Sequence, residues 1–338
     1  MKKAIAYIVM CTALALLAYF SINIGNYHIS PSTILAILSS KLFGTAAPEI
    51  QNYEEVILLE LRLPRVIMVM LVGAALAISG AASQGIFRNP LVSPFILGVS
   101  SGASLGAALA IVYFGHIAYS IDIAAGLGGI LAVIAAYLTA RKPDGSVPRL
   151  SLVLAGTIIS SLFTSLTGLV KYLADTETQL PAITFWMMGS FGSITWKSLD
   201  FVVWLIPINI LLMIIFAWQL NILSLGDREA MLLGMNTRRW KLIYVYFIVS
   251  TVGICVARTG TIGWIGLVIP HIGRAITGPN HRSLLPTAAL LGAVFMLIAD
   301  DIARVATNGE IPISIITAII GTPFFIYYLR KKEASVWN

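Results

Sequence analysis

The chain has 338 residues, of which 58% are hydrophobic and only 11% charged, with a mean hydropathy of +0.90. A water-soluble chain of this length carries roughly 25% charged residues, so too little polar surface exists to coat a globule, and lipid must be the solvent for much of the protein. The net charge of +7 does not point to nucleic acid, because the basic residues sit in short connectors between apolar stretches, as at Arg141 and Lys142, Arg238 and Arg239, and Arg330 to Lys332.

Met1-Lys2-Lys3 and the apolar run to about Phe20 imitate a secretory leader. No small-x-small cleavage site follows at Ser21-Ile22-Asn23-Ile24, so the run is expected to stay as the first span. Further spans, each needing about 20 apolar residues, are expected at roughly 63–84, 93–114, 118–140, 150–173, 197–221, 239–259, 283–302 and 312–329, with a half-length helix at 266–277 after Pro270. The first span covers roughly 4–24, and the total is about ten. The whole chain, 1–338, therefore reads as one transmembrane domain of an all-α integral membrane protein. Residues 25–61 read as a long loop with an acidic tail, and residues 182–191, apolar but too short to span, as a surface-lying or re-entrant helix.

Placing Lys2 and Lys3 in the cytoplasm puts most basic residues on that side, while Glu49, Glu54, Glu55, Glu60, Asp175, Glu177 and Glu310 fall opposite. Both termini are then expected in the cytoplasm, as an even number of spans requires. Cys11 and Cys255 lie in apolar runs, and His28, His116, His271 and His281 are scattered, so no disulfide, metal set or resident cofactor is expected.

Gly98, Gly102 and Gly106 repeat at four-residue spacing, which lets helix backbones approach closely. The same stretch, Gly98-Val99-Ser100-Ser101-Gly102, has the letters of a serine-hydrolase elbow. That motif needs a strand-to-helix turn, so helix packing is the stronger reading and a hydrolase built on Ser100 or Ser101 with His271 the weaker. No G-x-x-x-x-G-K-[ST] occurs, so the chain has no P-loop of its own for ATP.

Three stretches carry a family resemblance: Leu61-Arg62-Leu63-Pro64-Arg65 leading to Gln84-Gly85-Ile86-Phe87-Arg88-Asn89-Pro90-Leu91; Gly260-Thr261-Ile262-Gly263-Trp264 running to Pro270-His271; and Ala299-Asp300-Asp301-Ile302-Ala303-Arg304 followed by Glu310-Ile311-Pro312 and Gly321-Thr322-Pro323. From about residue 55 onward the chain resembles the permeases of iron-siderophore, haem and vitamin B12 ABC importers. The resemblance implies the type II importer permease fold, a homodimer with its pathway on the dimer axis, an inner-membrane location, two cytoplasmic ABC ATPase subunits and one external substrate-binding protein. It implies a transport subunit with no catalytic residues of its own, moving a metal chelate by alternating access. Ferric siderophore is the first expectation, haem or cobalamin the next, and an oxyanion such as molybdate an alternative.

Residue by residue, Arg62, Arg65 and Arg304 resemble the arginines that pair with glutamates of the binding protein; their side chains are expected to snorkel to water at the external ends of their helices. Asn89 and Leu91 resemble the cytoplasmic gate, in a turn stiffened by Pro90 and Pro94. Residues 225–235 resemble the coupling helix that seats on the ATPase, through Leu225, Gly226, Asp227, Glu229, Ala230, Leu233 and Gly234, with Asp227 expected to cap its start. Asp300 and Asp301 are expected to pair with Arg304 at i+4 and i+3. An ion-coupled secondary transporter would use such acids as a relay.

Overall fold

The computed structural model describes residues 2–25, 27–43, 52–143, 147–307 and 309–336, and every regular element among them is helical. Among the described residues, seven helical stretches are long and apolar enough to cross a membrane. Three shorter apolar helices among the described residues, Val99–Phe114, Ile265–Thr277 and Ile313–Tyr328, add to these, in keeping with the expectation of about ten crossings.

Helix α1 (Lys2–Asn23) runs from one end of the bundle to the other, and the crossings then alternate. Between α1 and the second crossing the chain forms α2 (Pro31–Phe43), α3 (Asn52–Val56) and a π-helical segment, Ile57–Arg62, that feeds directly into α4 (Leu63–Phe87). The long loop expected at 25–61 is thus largely helical. Ile29, Ile34, Ile37 and Leu58 bury one another in a small core of their own, a cluster too short to register as a span. The wide π turn has a local cause: Pro64 has no amide to give Glu60, and the Leu63 amide bonds instead to the Leu58 carbonyl.

Helix α4 is the axis of the molecule, with nearly every residue from Val72 to Phe87 buried. Glycines make this possible, because polar backbones can touch only where no side chain intervenes. A Cβ on Gly73 would lie 2.4 Å from the Gly292 carbonyl oxygen of α15 (His281–Val305), and one on Gly80 would lie 1.9 Å from that of Gly266 in α14 (Ile265–Thr277). Helix α14 starts before Pro270 rather than after it. The carbonyl that Pro270 deprives of its amide partner is that of Gly266, and this is the oxygen that faces Gly80.

Helix α5 (Val99–Phe114) begins later than expected, since 88–98 form a run of turns ending at Gly98, φ +86°. It packs on α6 (Ser120–Ala140) through the repeated glycines: a Cβ on Gly102 would sit 2.2 Å from the Gly128 carbonyl oxygen, and one on Gly106 2.0 Å from that of Ala124. Helix α7 (Arg149–Leu173) returns, followed by the short α8 (Gln179–Met188) and α9 (Trp196–Leu199). The sixth crossing is broken at Phe216 into α10 (Val202–Ile215) and α11 (Ala217–Leu225). The Tyr244 hydroxyl donates to the Phe216 carbonyl at 2.7 Å and caps the break from inside. After α12 (Asp227–Leu232) come α13 (Thr237–Thr259), α14, α15 and α16 (Ile313–Val336). The bundle therefore has an α8 end, where α1, α7, α13 and α15 finish, and an α12 end, where α4, α6, α11 and α14 finish.

Candidate functional site

At the α8 end the three arginines singled out by sequence are inside the protein. Arg62, Arg65 and Arg304 are 6%, 8% and 6% exposed. The expected snorkelling into water does not occur, because each guanidinium has internal partners. Arg62 donates to the carbonyls of Ile22 (2.9 Å), Asn23 (3.1 Å) and Tyr27, at the C-terminal end of α1 where a cation meets the negative end of the helix dipole. Arg65 forks onto Asp300 (2.9 Å) and Glu310. Arg304 pairs with Asp300 at 3.1 Å and with Asp301, the i+4 and i+3 partners its spacing implies, and also holds the Ser21 hydroxyl (2.7 Å) and the Ile24 carbonyl (3.0 Å). Asp300, 1% exposed, thus lies between two guanidinium groups, a poor arrangement for a proton relay. The network stitches α1, α4 and α15 to Glu310, whose side chain is 39% exposed at the surface.

Nearby, α8 occupies Gln179–Met188 rather than 182–191, because Asp175 pulls the chain into its first turn by accepting bonds from the Thr178 amide (2.7 Å) and hydroxyl (2.7 Å). Those hydrogen bonds, the hydroxyl's first, hold the Asp175 carboxyl below the usual range. Gly189, φ +72°, ends the helix, and Ser190 and Thr261 tie it to the loop before α14.

The α12 end is built differently. Arg88 closes α4 in a left-handed conformation, φ 51°, and the next turn is held by Asn89, whose side-chain oxygen accepts the Leu91 amide at 2.9 Å. His271 of α14 contacts the Pro90 carbonyl through Nε2 at 2.9 Å, which pins the turn and leaves Leu91 56% exposed at its tip. Helix α12 stands on a charged base: Asp227 bonds Lys241 of α13 at 2.7 Å and Arg149 of α7. Asp227 is therefore the first helical residue and does not cap the helix; the N-cap is Gly226, φ +143°. Partial burial opposes ionisation of Asp227, but the bonds from Lys241 and Arg149 outweigh it and hold the carboxyl below its ordinary value. Ala230 is buried against the bundle, and Gly234, φ +77°, turns the chain away. What remains outward is an apolar knob: Leu225, Met231, Leu232 and Leu233 are 54%, 58%, 80% and 61% exposed.

Between α5 and α7 lies a cavity of about 440 Å³ that the sequence reading did not isolate, lined by hydroxyls of both helices, with Thr261 and Lys171 toward the α8 end. Its signal was present in the sequence as a polar stripe on α7, Thr157, Ser160, Ser161, Thr164, Ser165, Gly168 and Lys171, at the three- and four-residue spacing of one helix face. The hydrolase alternative finds no support here. Ser101 donates to the Gly98 carbonyl at 3.0 Å, His271 is turned to Pro90, and no histidine lines the cavity that Ser100 and Ser101 face.

The model of the FecCD transport family matches residues 13–331. The molybdate import system permease protein MolB of Haemophilus influenzae is 42% identical over 323 residues, covering 94% of each chain. The hemin transport system permease protein HmuU of Yersinia pestis is 38% identical, covering 95% of this chain and 94% of its own. Among solved structures, an inward-facing conformation of a metal-chelate type ABC transporter matches with a TM-score of 0.85 at 38% identity, over 96% of this chain and 98% of that one. The stitched α8 end, the glycine-packed axis and the knob at the α12 end are thus the parts of a multi-pass ABC importer permease, and the chain belongs to the FecCD transport family.

Proposed function

We propose that this permease carries a metal-bearing anion, a chelate or an oxyanion, through a homodimer driven by two ATPase subunits that grip the α12 end. Ferric siderophore, the first expectation from sequence, falls within that class; the names of the relatives, molybdate in one and hemin in another, span it. The α12 end is assigned to the cytoplasm because Arg88, Arg141, Arg149, Arg228, Arg238, Arg239 and Arg282 gather there, which puts both termini inside.

One observation carries this reading. An apolar knob as exposed as Met231, Leu232 and Leu233, standing on a base fixed by Asp227, Arg149 and Lys241, has no reason to face water unless a partner covers it. An ATPase groove is that partner, and motion of the groove passes through Asp227 to α7 and α13. Asn89 and Leu91 act as the inner gate on the pinned turn beside it. At the opposite end Arg62, Arg65 and Arg304 serve docking of a binding protein by ordering the rim that the partner meets, with Glu310 at its surface. Alternating access follows if docking outside and nucleotide binding inside bias the same two-state bundle.

The test is Leu232→Asp in the complex reconstituted with its ATPase. Because Leu232 is 80% exposed, the variant should fold. Loss of a central apolar anchor costs about 2 kcal/mol or more, so ATPase affinity should fall about 30-fold and ATP-driven uptake with it. Unchanged association would remove the coupling assignment.

A further inference from the structure

Helices α6 and α13 part toward the α8 end and leave a cavity of about 560 Å³ between them. Gly126 and Gly253 line it and keep it open, since a Cβ on either would meet nothing within 4 Å. Ile123 and Ile130, also on its wall, are exposed, so the cavity opens on the outside of the bundle. It runs from Val249 to Arg258, about 14 Å along α13. That is the depth of one leaflet, half of a hydrocarbon core about 30 Å thick. Water finds few partners against such walls, so in a membrane the slot takes hydrocarbon.

The α8 end of the slot is charged. The Arg258 side chain, 8% exposed, pairs with Asp122 at 2.7 Å. Its guanidinium lies 4.9 Å from the Phe201 ring centre and 5.7 Å from that of Tyr119. Among the described residues its Nε has no hydrogen-bond partner. Asp200, exposed on the same wall, forms no ion pair among the described residues. Tyr119, Asp122 and Arg258 also line a second cavity of about 510 Å³, where the hydroxyl residues Ser120, Ser190 and Ser193 replace the aliphatic wall. Tyr119, Phe201 and Trp204, all exposed at this level, form the aromatic girdle of a headgroup region.

An apolar slot one leaflet deep, a partly used guanidinium at its mouth and two carboxylates beside it fit one amphiphile. We infer that the groove between α6 and α13 is a binding site for a single phospholipid with a zwitterionic amine headgroup, phosphatidylethanolamine. One acyl chain lies over Gly126 and Gly253, the phosphate meets Arg258, and the ammonium donates to Asp122 and Asp200. Phosphatidylglycerol brings the phosphate without the cation and leaves both carboxylates facing a like charge. Phosphatidylcholine brings a cation with no N–H to donate.

Native mass spectrometry of the purified full-length permease tests this, with the delipidated protein offered each of the three lipids carrying identical chains. Phosphatidylethanolamine should stay bound, one per chain, at about a tenth of the concentration the other two need, the effect of one charge-assisted hydrogen bond. Gly253→Leu places its side chain in open space, so the variant should fold, and it should lose the adduct. Asp200→Asn, at an exposed position, should erase most of the headgroup preference. Leu211→Phe, exposed on α10 outside the groove, should change neither. Equal retention of the three headgroups, or an adduct indifferent to Gly253→Leu, would reduce the groove to ordinary boundary lipid and overturn the site. Loss of a dimer in Gly253→Leu would overturn it too, by showing that a second copy of the chain covers the groove.

Discussion

The two ends of the bundle use the same residue types to opposite effect. At the α8 end, Arg62, Arg65 and Arg304 are buried, and their donors are taken up by Asp300, Asp301, Glu310 and the carbonyls that finish α1. At the α12 end, Arg228, Arg238 and Arg239 are exposed, one carboxylate, Asp227, holds two cations, and apolar side chains stand in the open. A closed network resists deformation, since removing any member strands a buried charge. An open one leaves groups to be completed by something else. The rigid end is therefore suited to a surface that must keep its shape while a partner comes and goes, and the unfinished end to a joint that must be moved.

The largest effect should come from opening the closed end. Asp300→Ala leaves Arg65 and Arg304 without the carboxylate they share at 1% exposure, and breaking such a pair costs about 3–5 kcal/mol. Thermal unfolding of the detergent-solubilised protein should show a large loss of stability. Asp301→Ala should cost less, because Asp301 is 13% exposed and touches only one of the arginines. Equal, small losses in both would mean that the network is ornamental and the contrast between the ends false.

The ends are joined by α4, with Arg65 at one limit and the Asn89 turn at the other, and the next effect lies there. Gly80→Ala would place a Cβ 1.9 Å from the Gly266 carbonyl oxygen, whereas one on Gly126 would meet nothing within 4 Å. Forced overpacking costs about 1–3 kcal/mol, while glycine to alanine in an open helix position gains about 0.4–1 kcal/mol. The two substitutions should therefore move the melting temperature in opposite directions. A tolerant Gly80 would show that α4 and α14 slide rather than interlock.

Most of this scaffold is legible in the sequence for a simple reason: lipid demands about 20 apolar residues per crossing, and the chain supplies them in blocks. The glycine spacing of α5 likewise states that a neighbour comes close. What is not legible is who that neighbour is. Arg65 and Asp300 are 235 positions apart, and nothing local says that they meet, so the arginines read as surface charge when they are core. Asp227 reads as a cap for the same reason, since Arg149 is 78 positions away. Helices α2 and α3 escape because their apolar residues, such as Ile34 and Ile37, bury a core too small for a spanning pattern. The stripe on α7 was readable by periodicity alone and was masked by the apolar residues between its members.

The smallest effect on stability, and the sharpest on coupling, should come from Asp227→Asn. Its pairs are partly exposed, with the carboxylate side chain at 44%, and such pairs contribute only about 0.2–1 kcal/mol each. Melting should hardly change. Position is another matter, because this carboxylate is what fixes the base of α12 to α7 and α13. Its folded value is depressed below 3.8, so the clamp's contribution is complete above that value and is lost only as acidification passes through the lower folded one. From about pH 8 down to about pH 5 the ratio of cargo moved to ATP hydrolysed should therefore not fall on account of Asp227, while Asp227→Asn should lower that ratio across the same range. A wild-type ratio that collapses near neutrality in parallel with loss of ATPase grip, or an Asn variant coupled as well as the parent, would show that the joint is fixed elsewhere, and the asymmetry between the two ends would then have no mechanical meaning.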